Sequence, residues 1–512
     1  MSDLEVLLTA EQAYPALERA FLAAESEIWA SFRVFDPETK LRSREGMQVG
    51  RTWYDLIAET LSRGVKVNIA IADFDPVVRP ALHRATWRSV RQLMAAAETV
   101  QASENLDVVA SMHPARTGLI PRLLFWPVIL SRQWRTARKL NSMAAAERET
   151  ALREMPGLKD RLSVSSEGRV RPKFFPLPCL YPATHHQKLA VIDRRRLYLG
   201  GLDLDERRFD TPKHDVAADE TWHDVQLLLS GPAVEEAQAH LETFHEVTAG
   251  RREPNRQRQL LRTLSRPRDR NLLHFGPETV CDEIIVAHEH YARRAQRLIY
   301  LETQYFRDLR LARYLASLAR ANPALTMIVV LPGAPEEIAF EPRIDLDARF
   351  GEFLQARALR ILVKAFGRRL FVAAMAQPRS AGAADSNGRA RLLGAPIVYI
   401  HSKVSIFDGT AAIVSSANLN GRSLHWDTEA GLLLTQRRHV DRVRRSVMGH
   451  WLPEDAEDAY FDPARALSAW RALALRNMRS APEAREGFVL PYDIKAAEAD
   501  AIEVPVIPAE MV

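Results

Sequence analysis

One stretch of eight residues occurs twice in this chain, and it constrains the fold more than any other feature. The copies are residues 186–193 (HQKLAVID) and 401–408 (HSKVSIFD), and both read HxKxxxxD. Apolar, β-branched residues surround each copy, which predicts two buried strands. Side chains alternate along a strand, so a histidine and a lysine two residues apart face the same way. Each copy therefore offers an imidazole beside a fixed positive charge.

The repeat continues beyond the motif, so chance does not explain it. Each motif aspartate is followed by small residues at offsets of seven and eight and by a polar residue at ten: Gly200, Gly201 and Asp203, then Ser415, Ser416 and Asn418. Further on, Asp224 and Glu429 each open an apolar run. Two similar halves are therefore predicted, and they are expected to pack as a pseudo-twofold pair that brings both motifs to one cleft.

The order of the predicted elements supports this division. Helix and strand patterns alternate in both halves: helix 9–25, strand 28–35, helix 51–63 and strand 65–71, then helix 282–297, strand 298–306, helix 308–321 and strand 325–331. This alternation predicts an α/β fold. We expect two similar α-β-α sandwich halves, with the active site at their interface.

The chain divides into four predicted segments. They are an N-terminal half at 1–250 with an insertion at about 113–170, a basic linker at 251–280, a C-terminal half at 281–450 and an extension at 451–512. Residues 251–270 hold eight arginines and two acidic residues. This stretch is either a patch for anionic lipid or nucleic acid or a solvated linker, and we favour the linker.

The insertion contains an apolar run at residues 119–130. With two prolines and an arginine, this run is too short to cross a bilayer. One interpretation is a surface that dips into lipid, with Phe125, Trp126 and Trp134 as anchors. The other, which we favour, is a loop and helix packed on the core.

The net charge and the cysteine content exclude few classes of protein. The formal charge of +5 permits attraction to an anionic surface without requiring it. The two cysteines, Cys179 and Cys281, are too few for a disulfide framework and fit a reducing compartment or a protein that does not rely on disulfide bridges. The first residues show neither a basic nor an apolar segment, so no Sec signal is expected.

Two histidines and two lysines suit a phosphodiester, which is anionic and resists nucleophiles. Lys188 and Lys403 would neutralise its non-bridging oxygens, with Asn418 as a neutral donor. One neutral imidazole would attack phosphorus, while the other, protonated, would donate to the leaving oxygen and then activate water.

A carboxylate behind each catalytic imidazole would fix its tautomer and stabilise its protonated form. The expected partners are Asp224 for His186 and Glu429 for His401. A carboxylate at Asp203 would repel phosphate, so we expect it to be a structural hydrogen-bonding group.

Several segments of this chain resemble the phospholipase D superfamily, and its eukaryotic-type catalytic core in particular. The resemblance covers roughly residues 20–440 and is carried by THHQK (184–188), GGLDL (200–204), RFDTP (208–212), WHD (222–224), YLETQYF (300–306) and SANLNGRS (416–423). It implies hydrolysis of the distal phosphodiester bond of a glycerophospholipid, phosphatidylcholine first among them, to phosphatidic acid and a free headgroup. It further implies a phosphohistidine on His186, with His401 as acid and base and with transfer to alcohols as a side reaction; the two histidines could exchange roles.

Other candidate residues are interpreted as structural. Asp193 and Asp408 are expected to pair away from the site, and Gly200, Gly201 and Ser416 to shape it. Histidines adjoining the motifs are expected to be structural as well: His185, His223 and His425. No metal or other cofactor is expected, because the sequence has no zinc-ligand spacing, no P-loop and no dinucleotide glycine pattern.

Two other functions fit the same motifs. A phosphatidyltransferase of the cardiolipin-synthase kind would use the same site, although such enzymes usually carry N-terminal membrane helices. A nuclease would bind nucleic acid through residues 251–270.

The expected partners are a glycerophospholipid at a membrane surface and water or a small alcohol, with no nucleic acid, and the protein is expected to be a monomer. Without a Sec signal or a transmembrane helix, the chain is expected in the cytoplasm with peripheral membrane association, or secreted by a signal-independent route.

Overall fold

The computed structural model of the protein describes residues 3–269, 272–341, 346–504 and 507–511. The expectation about a Sec signal rests partly on Met1 and Ser2, which lie outside these residues, as does Arg270, the last arginine of the basic stretch.

The first half contains nine strands and eight α-helices among these residues. The strands are β1 (Leu4–Leu8), β2 (Glu27–Phe32), β3 (Lys66–Ala72), β4 (Leu106–Ser111), β5 (Leu162–Val164), β6 (Val170–Pro172), β7 (Leu189–Ile192), β8 (Arg196–Gly200) and β9 (Val225–Leu229). The helices are α1 (Thr9–Leu22), α2 (Gly46–Val49), α3 (Trp53–Ser62), α4 (Pro80–Thr99), α5 (Leu119–Leu124), α6 (Trp126–Asn141), α7 (Ala145–Arg153) and α8 (Pro232–Thr248).

The second half follows the same pattern. Its strands are β10 (Leu260–Arg266), β11 (Glu278–Asp282), β12 (Leu298–Thr303), β13 (Thr326–Leu331), β14 (Leu370–Met375), β15 (Arg391–Leu392), β16 (Ala395–Pro396), β17 (Lys403–Phe407), β18 (Ala411–Ser415), β19 (Glu429–Leu434) and β20 (Val489–Pro491). Its helices are α9 (Glu283–Arg294), α10 (Leu309–Ala321), α11 (Glu336–Ala339), α12 (Leu346–Phe366), α13 (Gly421–His425), α14 (Arg437–His450), α15 (Ala466–Arg479) and α16 (Ile494–Asp500).

The two main sheets repeat one strand order. The first runs β1-β9-β8-β7-β2-β3-β4, and the second runs β10-β19-β18-β17-β12-β13-β14 between the edge strands β11 and β20. Each motif strand is antiparallel to its neighbour β2 or β12, and the three strands from there to β4 or β14 run parallel. The predicted α/β fold of two similar halves is confirmed.

Both motif strands are buried on both faces, which is why they read as apolar runs. Alternate side chains of β7 enter different cores. Leu189 and Val191 join a cluster that also contains Val404 and Ile406 of the other half, while Ala190 and Ile192 pack with helices of their own half. A shared apolar layer therefore holds the halves together and fixes the motifs relative to each other.

The predicted linker and C-terminal extension both contribute strands to the second sheet. Strand β10 pairs with β19, and β11 pairs with β10, so the expectation that residues 251–270 form a solvated linker is wrong for residues 260–266. Arg262, one of the eight arginines, is buried in β10 and forms an ion pair with Glu283 at 2.8 Å. The extension returns to the sheet, where β20 pairs with β14.

The insertion forms a small helical unit with two distinct surfaces. Ile129 and Leu140 of α6 pack in a core with the β5–β6 hairpin. Other apolar side chains of this region stay exposed: Leu119, Ile120, Leu123, Leu124, Val128, Trp134, Phe174 and Phe175. Among the described residues, no helix has the length and apolarity to cross a membrane.

Candidate active site

The two motif histidines lie just before their strands, where the halves meet. The His186 backbone N–H donates to the Thr428 carbonyl at 2.8 Å. On the other side, the His401 N–H donates to the His223 carbonyl, also at 2.8 Å. Each motif segment is therefore hydrogen-bonded to the residue that precedes the carboxylate of the opposite half.

These backbone bonds place each imidazole beside the carboxylate of the other half. His186 Nδ1 lies 3.0 Å from Glu429 Oε1, and His401 Nδ1 lies 2.6 Å from Asp224 Oδ2. The expected pairing, Asp224 with His186 and Glu429 with His401, is wrong. Within one half the motif strand and the carboxylate strand are separated by a third strand, a gap of about 10 Å. Only the opposite half brings a carboxylate into contact.

Burial controls the charge of both pairs. Asp224 and Glu429 are fully buried, whereas the side chains of His186 and His401 are 13% and 7% exposed. Burial lowers the pKa of both imidazoles well below the usual value, and the neighbouring lysine of each motif adds to this effect. Burial also raises the pKa of Asp224 to about 6, against the pull of Lys403. Burial therefore favours the neutral form of both imidazoles in the free protein.

The two lysines point into the same buried region. Lys188 Nζ donates to the His186 carbonyl at 2.5 Å and lies 3.7 Å from Asp203 Oδ1. Lys403 Nζ donates to the His401 carbonyl and lies 3.0 Å from His401 Nδ1. Burial lowers the pKa of Lys403 to about 7, although Asp224 opposes the shift. An anion entering the site would restore the positive charge.

Asn418 and Asp203 occupy equivalent places in the two halves but have different surroundings. Asn418 Nδ2 donates to Gln304 at 3.2 Å, and its buried Oδ1 has no partner among the described residues. Asp203 accepts from the Val34 N–H at 2.9 Å. Burial acts to raise the pKa of Asp203, but Lys188 and Arg33 hold it below the usual value. Asp203 is thus a counter-ion within the site.

Small residues after the motif strands let the strands that carry Asp224 and Glu429 lie close beside them. An added Cβ at Gly201 would lie 2.2 Å from Asp224 Oδ1, and one at Gly200 would lie 1.6 Å from Gln226 Oε1. Ser416, which occupies the place of Gly201 in the other half, donates its hydroxyl to Glu429. Glu429 therefore accepts a hydroxyl group, whereas Asp224 accepts the backbone N–H of Val225 at 2.9 Å.

The motif aspartates have one role in both halves. Asp193 accepts the backbone N–H groups of Glu25, Ser26 and Glu27 at 2.8, 2.8 and 3.0 Å. Asp408 accepts those of Gln296, Arg297 and Leu298 at 2.7, 3.0 and 2.7 Å. Both aspartates have positive φ, 50° and 53°. They close the turn before the neighbouring strand, and neither contacts an imidazole.

Two arginines near the site were not among the expected site residues, although one of them, Arg208, belongs to the RFDTP segment. Arg33 follows β2, whose end adjoins the start of β7, and it contributes to the lowered pKa of His186. Arg208 lies 3.5 Å above the Trp222 ring, which in turn packs 4.5 Å from the His401 ring. The signal that identifies Arg33 is the strand order, which the sequence alone does not give.

The histidines next to the motifs make contacts away from the reacting nitrogens. His185 Nδ1 pairs with Thr428 Oγ1 at 2.8 Å, and the His425 carbonyl accepts from Thr279 Oγ1 at 2.7 Å. His223 lies near Glu302 and two further histidines.

Known proteins similar to this chain include plant lipases. Phospholipase D alpha 1 of Oryza sativa subsp. japonica is 25% identical over 354 residues, which cover 47% of this chain and 44% of that protein. Phospholipase D alpha 1 of Nicotiana tabacum is 24% identical over 50% of this chain and 46% of its own length. The chain spans less than half the length of these relatives.

Among solved structures, phosphatidylserine synthase of Haemophilus influenzae aligns over 93% of this chain and 94% of its own, with a TM-score of 0.48 and 12% identity. A family model described as "Cardiolipin synthase, PLD-like domain" matches residues 290–451, which hold the second motif and Glu429. Together with the plant relatives, this match supports the phospholipase D superfamily as the family of this chain.

Proposed function

We propose that this protein is a phospholipase D, which hydrolyses the distal phosphodiester bond of glycerophospholipids such as phosphatidylcholine. The observation that carries the proposal is the crossed arrangement of His186 with Glu429 and His401 with Asp224. Two imidazoles of this kind, each held by a buried carboxylate and flanked by a lysine, supply the nucleophile and the acid that a phosphodiester needs.

In the first step, neutral His186 attacks phosphorus through Nε2, since its Nδ1 faces Glu429. The bond from phosphorus to the headgroup oxygen breaks, and His401, protonated, gives its proton to that oxygen. The free protein holds His401 neutral, so the bound phosphodiester must supply the negative charge that favours its protonation. Lys188 and Lys403 would hold the non-bridging oxygens, with Asn418 as the neutral donor.

In the second step, neutral His401 takes a proton from water, and the resulting hydroxide attacks the phosphohistidine. The phosphorus–nitrogen bond breaks, which returns His186 and releases phosphatidic acid. A small alcohol that enters in place of water gives a phosphatidyl alcohol by the same path. Phosphatidyl transfer is therefore the second candidate function, and the matched cardiolipin-synthase family model favours it as the alternative.

We propose that the protein meets its substrate at a membrane surface. The exposed apolar side chains of the insertion would contact that surface. The insertion is hydrogen-bonded to the segment that precedes the first motif, because the Thr117 N–H donates to the Leu180 carbonyl at 2.8 Å. His113 also packs 5.1 Å from His185. Basic residues of α6, including Arg135, Arg138 and Lys139, are exposed beside the apolar ones and suit anionic headgroups.

Product analysis tests the proposal. Vesicles of phosphatidylcholine with other phospholipids are incubated with the protein, with and without a primary alcohol, and lipids are identified by mass spectrometry. We expect phosphatidic acid in water and phosphatidyl alcohol when alcohol is present, and neither with His186→Ala.

Exclusive formation of a phosphatidyl alcohol or a lipid dimer, without phosphatidic acid, would assign the protein to the transferases. Cleavage of DNA, measured in parallel, without attack on any lipid would make it a nuclease.

A further inference from the structure

Behind the second motif, three histidines converge in the interior. One ring nitrogen from each of His214, His223 and His450 lies within 4.8 Å of the others. The rings of His214 and His223 are fully buried, and that of His450 is partly buried. No other group of this kind occurs among the described residues.

One of these imidazoles is oriented by a carboxylate, as metal-binding histidines usually are, and a second lies near one. His214 Nδ1 lies 2.6 Å from Asp210 Oδ2, so the proton sits on Nδ1 and the lone pair of Nε2 faces the cluster. His223 Nε2 lies 3.2 Å from Glu302 Oε1. A carboxylate that holds the far nitrogen of a histidine fixes its tautomer and raises its strength as a ligand.

The polar atoms of the cluster are incompletely satisfied. Among the described residues neither ring nitrogen of His223 meets the geometry of a hydrogen bond, although the ring is inaccessible to solvent. His214 Nε2 lies 2.9 Å from His450 Nε2. Buried imidazole nitrogens left without partners are costly unless something fills the space between them.

We propose that His214, His223 and His450 bind a divalent transition-metal ion of the Zn²⁺ class. Imidazole is a preferred ligand of such ions, and two ligands of a tetrahedral zinc site lie about 3.3 Å apart when each bond is about 2.0–2.1 Å. The His214–His450 pair therefore needs to open by only a few tenths of an ångström. The sequence gives no compact ligand spacing for this site, because His450 lies in the other half, far from His214 and His223 in the chain.

The site would fasten the halves directly behind the candidate active site. His214 and His223 belong to the segment between β8 and β9, while His450 ends helix α14 of the other half. The His223 carbonyl accepts the N–H groups of His401 and Ser402 at 2.8 and 3.1 Å. A bound ion would thus hold the backbone that carries His401 and Asp224, as a structural element and not as a reactant.

Metal binding is tested on the full chain, independently of activity. The protein is treated with a chelator, dialysed and titrated with Co²⁺. We expect one Co²⁺ per chain with the visible absorption of a nitrogen-ligated site, displacement by Zn²⁺, and a higher melting temperature with either ion. X-ray absorption of the Zn²⁺ form should show three imidazoles, a measurement that needs no variant.

Two variants locate the site. His450→Gln should lose the Co²⁺ spectrum and the thermal shift, whereas His290→Gln, which changes an exposed histidine on α9, should keep both. His214→Gln serves in place of His450→Gln if the latter does not fold. The proposal is overturned if the wild-type protein takes up no Co²⁺, if fewer than three imidazoles surround the zinc, or if the spectrum survives in the folded His450 or His214 variant.

Discussion

At the scale of single residues, the crossed histidine–carboxylate pairs decide which groups act together. Asp224 serves His401, and Glu429 serves His186, so a substitution at either carboxylate acts on the histidine of the other motif. The two pairs also differ, because Glu429 accepts the Ser416 hydroxyl whereas Gly201 gives Asp224 no such donor. This asymmetry predicts distinct defects in the two carboxylate variants.

Asp224→Asn should impair the steps that need His401, and Glu429→Gln the attack by His186. Each is expected to lower turnover on the order of 10²–10⁴-fold, as the loss of a general acid–base group does. With a phosphodiester whose leaving group needs no protonation, the phosphohistidine should accumulate in Asp224→Asn but not in Glu429→Gln. Intact-protein mass after a quench without acid detects it.

His186→Ala is the control for that experiment and should give no adduct. Accumulation in Glu429→Gln and not in Asp224→Asn would reverse the roles of the two histidines. Inversion of configuration at a chiral phosphorus would instead indicate a single displacement without an adduct.

The pKa of Lys403, about 7, predicts the pH dependence. A lysine is charged below its pKa, so the charge that attracts an anionic substrate is present at acidic pH and is lost as the pH rises through about 7. We expect kcat/KM for a soluble phosphodiester to fall on this alkaline side. Lys403→Arg should move the fall to higher pH at a lower maximal rate, since arginine stays charged but has a different shape. If kcat/KM of Lys403→Arg falls at the same pH as that of the wild-type protein, a group other than Lys403 causes the fall.

At the scale of the elements, the second motif continues into a turn that secures the next strand of the sheet. Asp408 has positive φ and accepts three consecutive N–H groups at the start of β12, and Asp193 does the same before β2. Aspartate tolerates the left-handed conformation better than alanine does. The motif aspartate therefore aligns the motif strand with its neighbour and has a structural role.

Asp408→Ala should reduce the free energy of unfolding by about 1.5–3 kcal/mol, because it removes hydrogen bonds to a charged group. Urea denaturation followed by circular dichroism measures the loss. Asp160→Ala, at an exposed position, is the control and should change stability little. If the Asp408 and Asp160 variants are equally stable, the turn does not depend on the carboxylate.

At the scale of the whole molecule, the exposed apolar side chains of the insertion lie on a helical unit. This unit is hydrogen-bonded to the segment that precedes the first motif. Leu123 and Leu124 are 55% and 56% exposed, and Phe175 is 79% exposed and stacks on Trp126. Nearby, the Ile120 N–H donates to the Leu272 carbonyl, which brings a further exposed leucine to this surface. Exposed apolar groups beside arginines are typical of proteins that rest on lipid.

Replacing both Leu123 and Leu124 by serine should weaken binding to anionic vesicles about thirtyfold or more, because each leucine buried in lipid contributes about 1 kcal/mol or more. Vesicle sedimentation measures binding, and turnover of a short-chain monomeric phospholipid should stay unchanged. Leu475→Ser, at an exposed position on α15, is the control. Equal loss of turnover on monomeric and vesicle substrates would indicate a folding defect and not a lost lipid contact.

The sequence by itself determined the repeat, and with it the two α/β halves. The motif strands are buried on both faces, and they therefore read as apolar runs in the sequence. The flanking helices and the small residues before Asp203 and Asn418 also leave patterns that can be read locally. The candidate histidines, lysines and carboxylates were identified in the same way. What stayed hidden were short edge strands such as β1, β11 and β20, whose pairing the local sequence does not show.

Only the tertiary structure decided which groups meet. The sequence predicted that each histidine uses the carboxylate of its own half, but an intervening strand separates them, and the backbone contacts of Thr428 and His223 across the interface supply the other carboxylate instead. Arg33 and the cluster of His214, His223 and His450 were invisible for the same reason. Residues that are far apart in the chain carry no spacing signal, and their contact exists only because two sheets pack through a shared core.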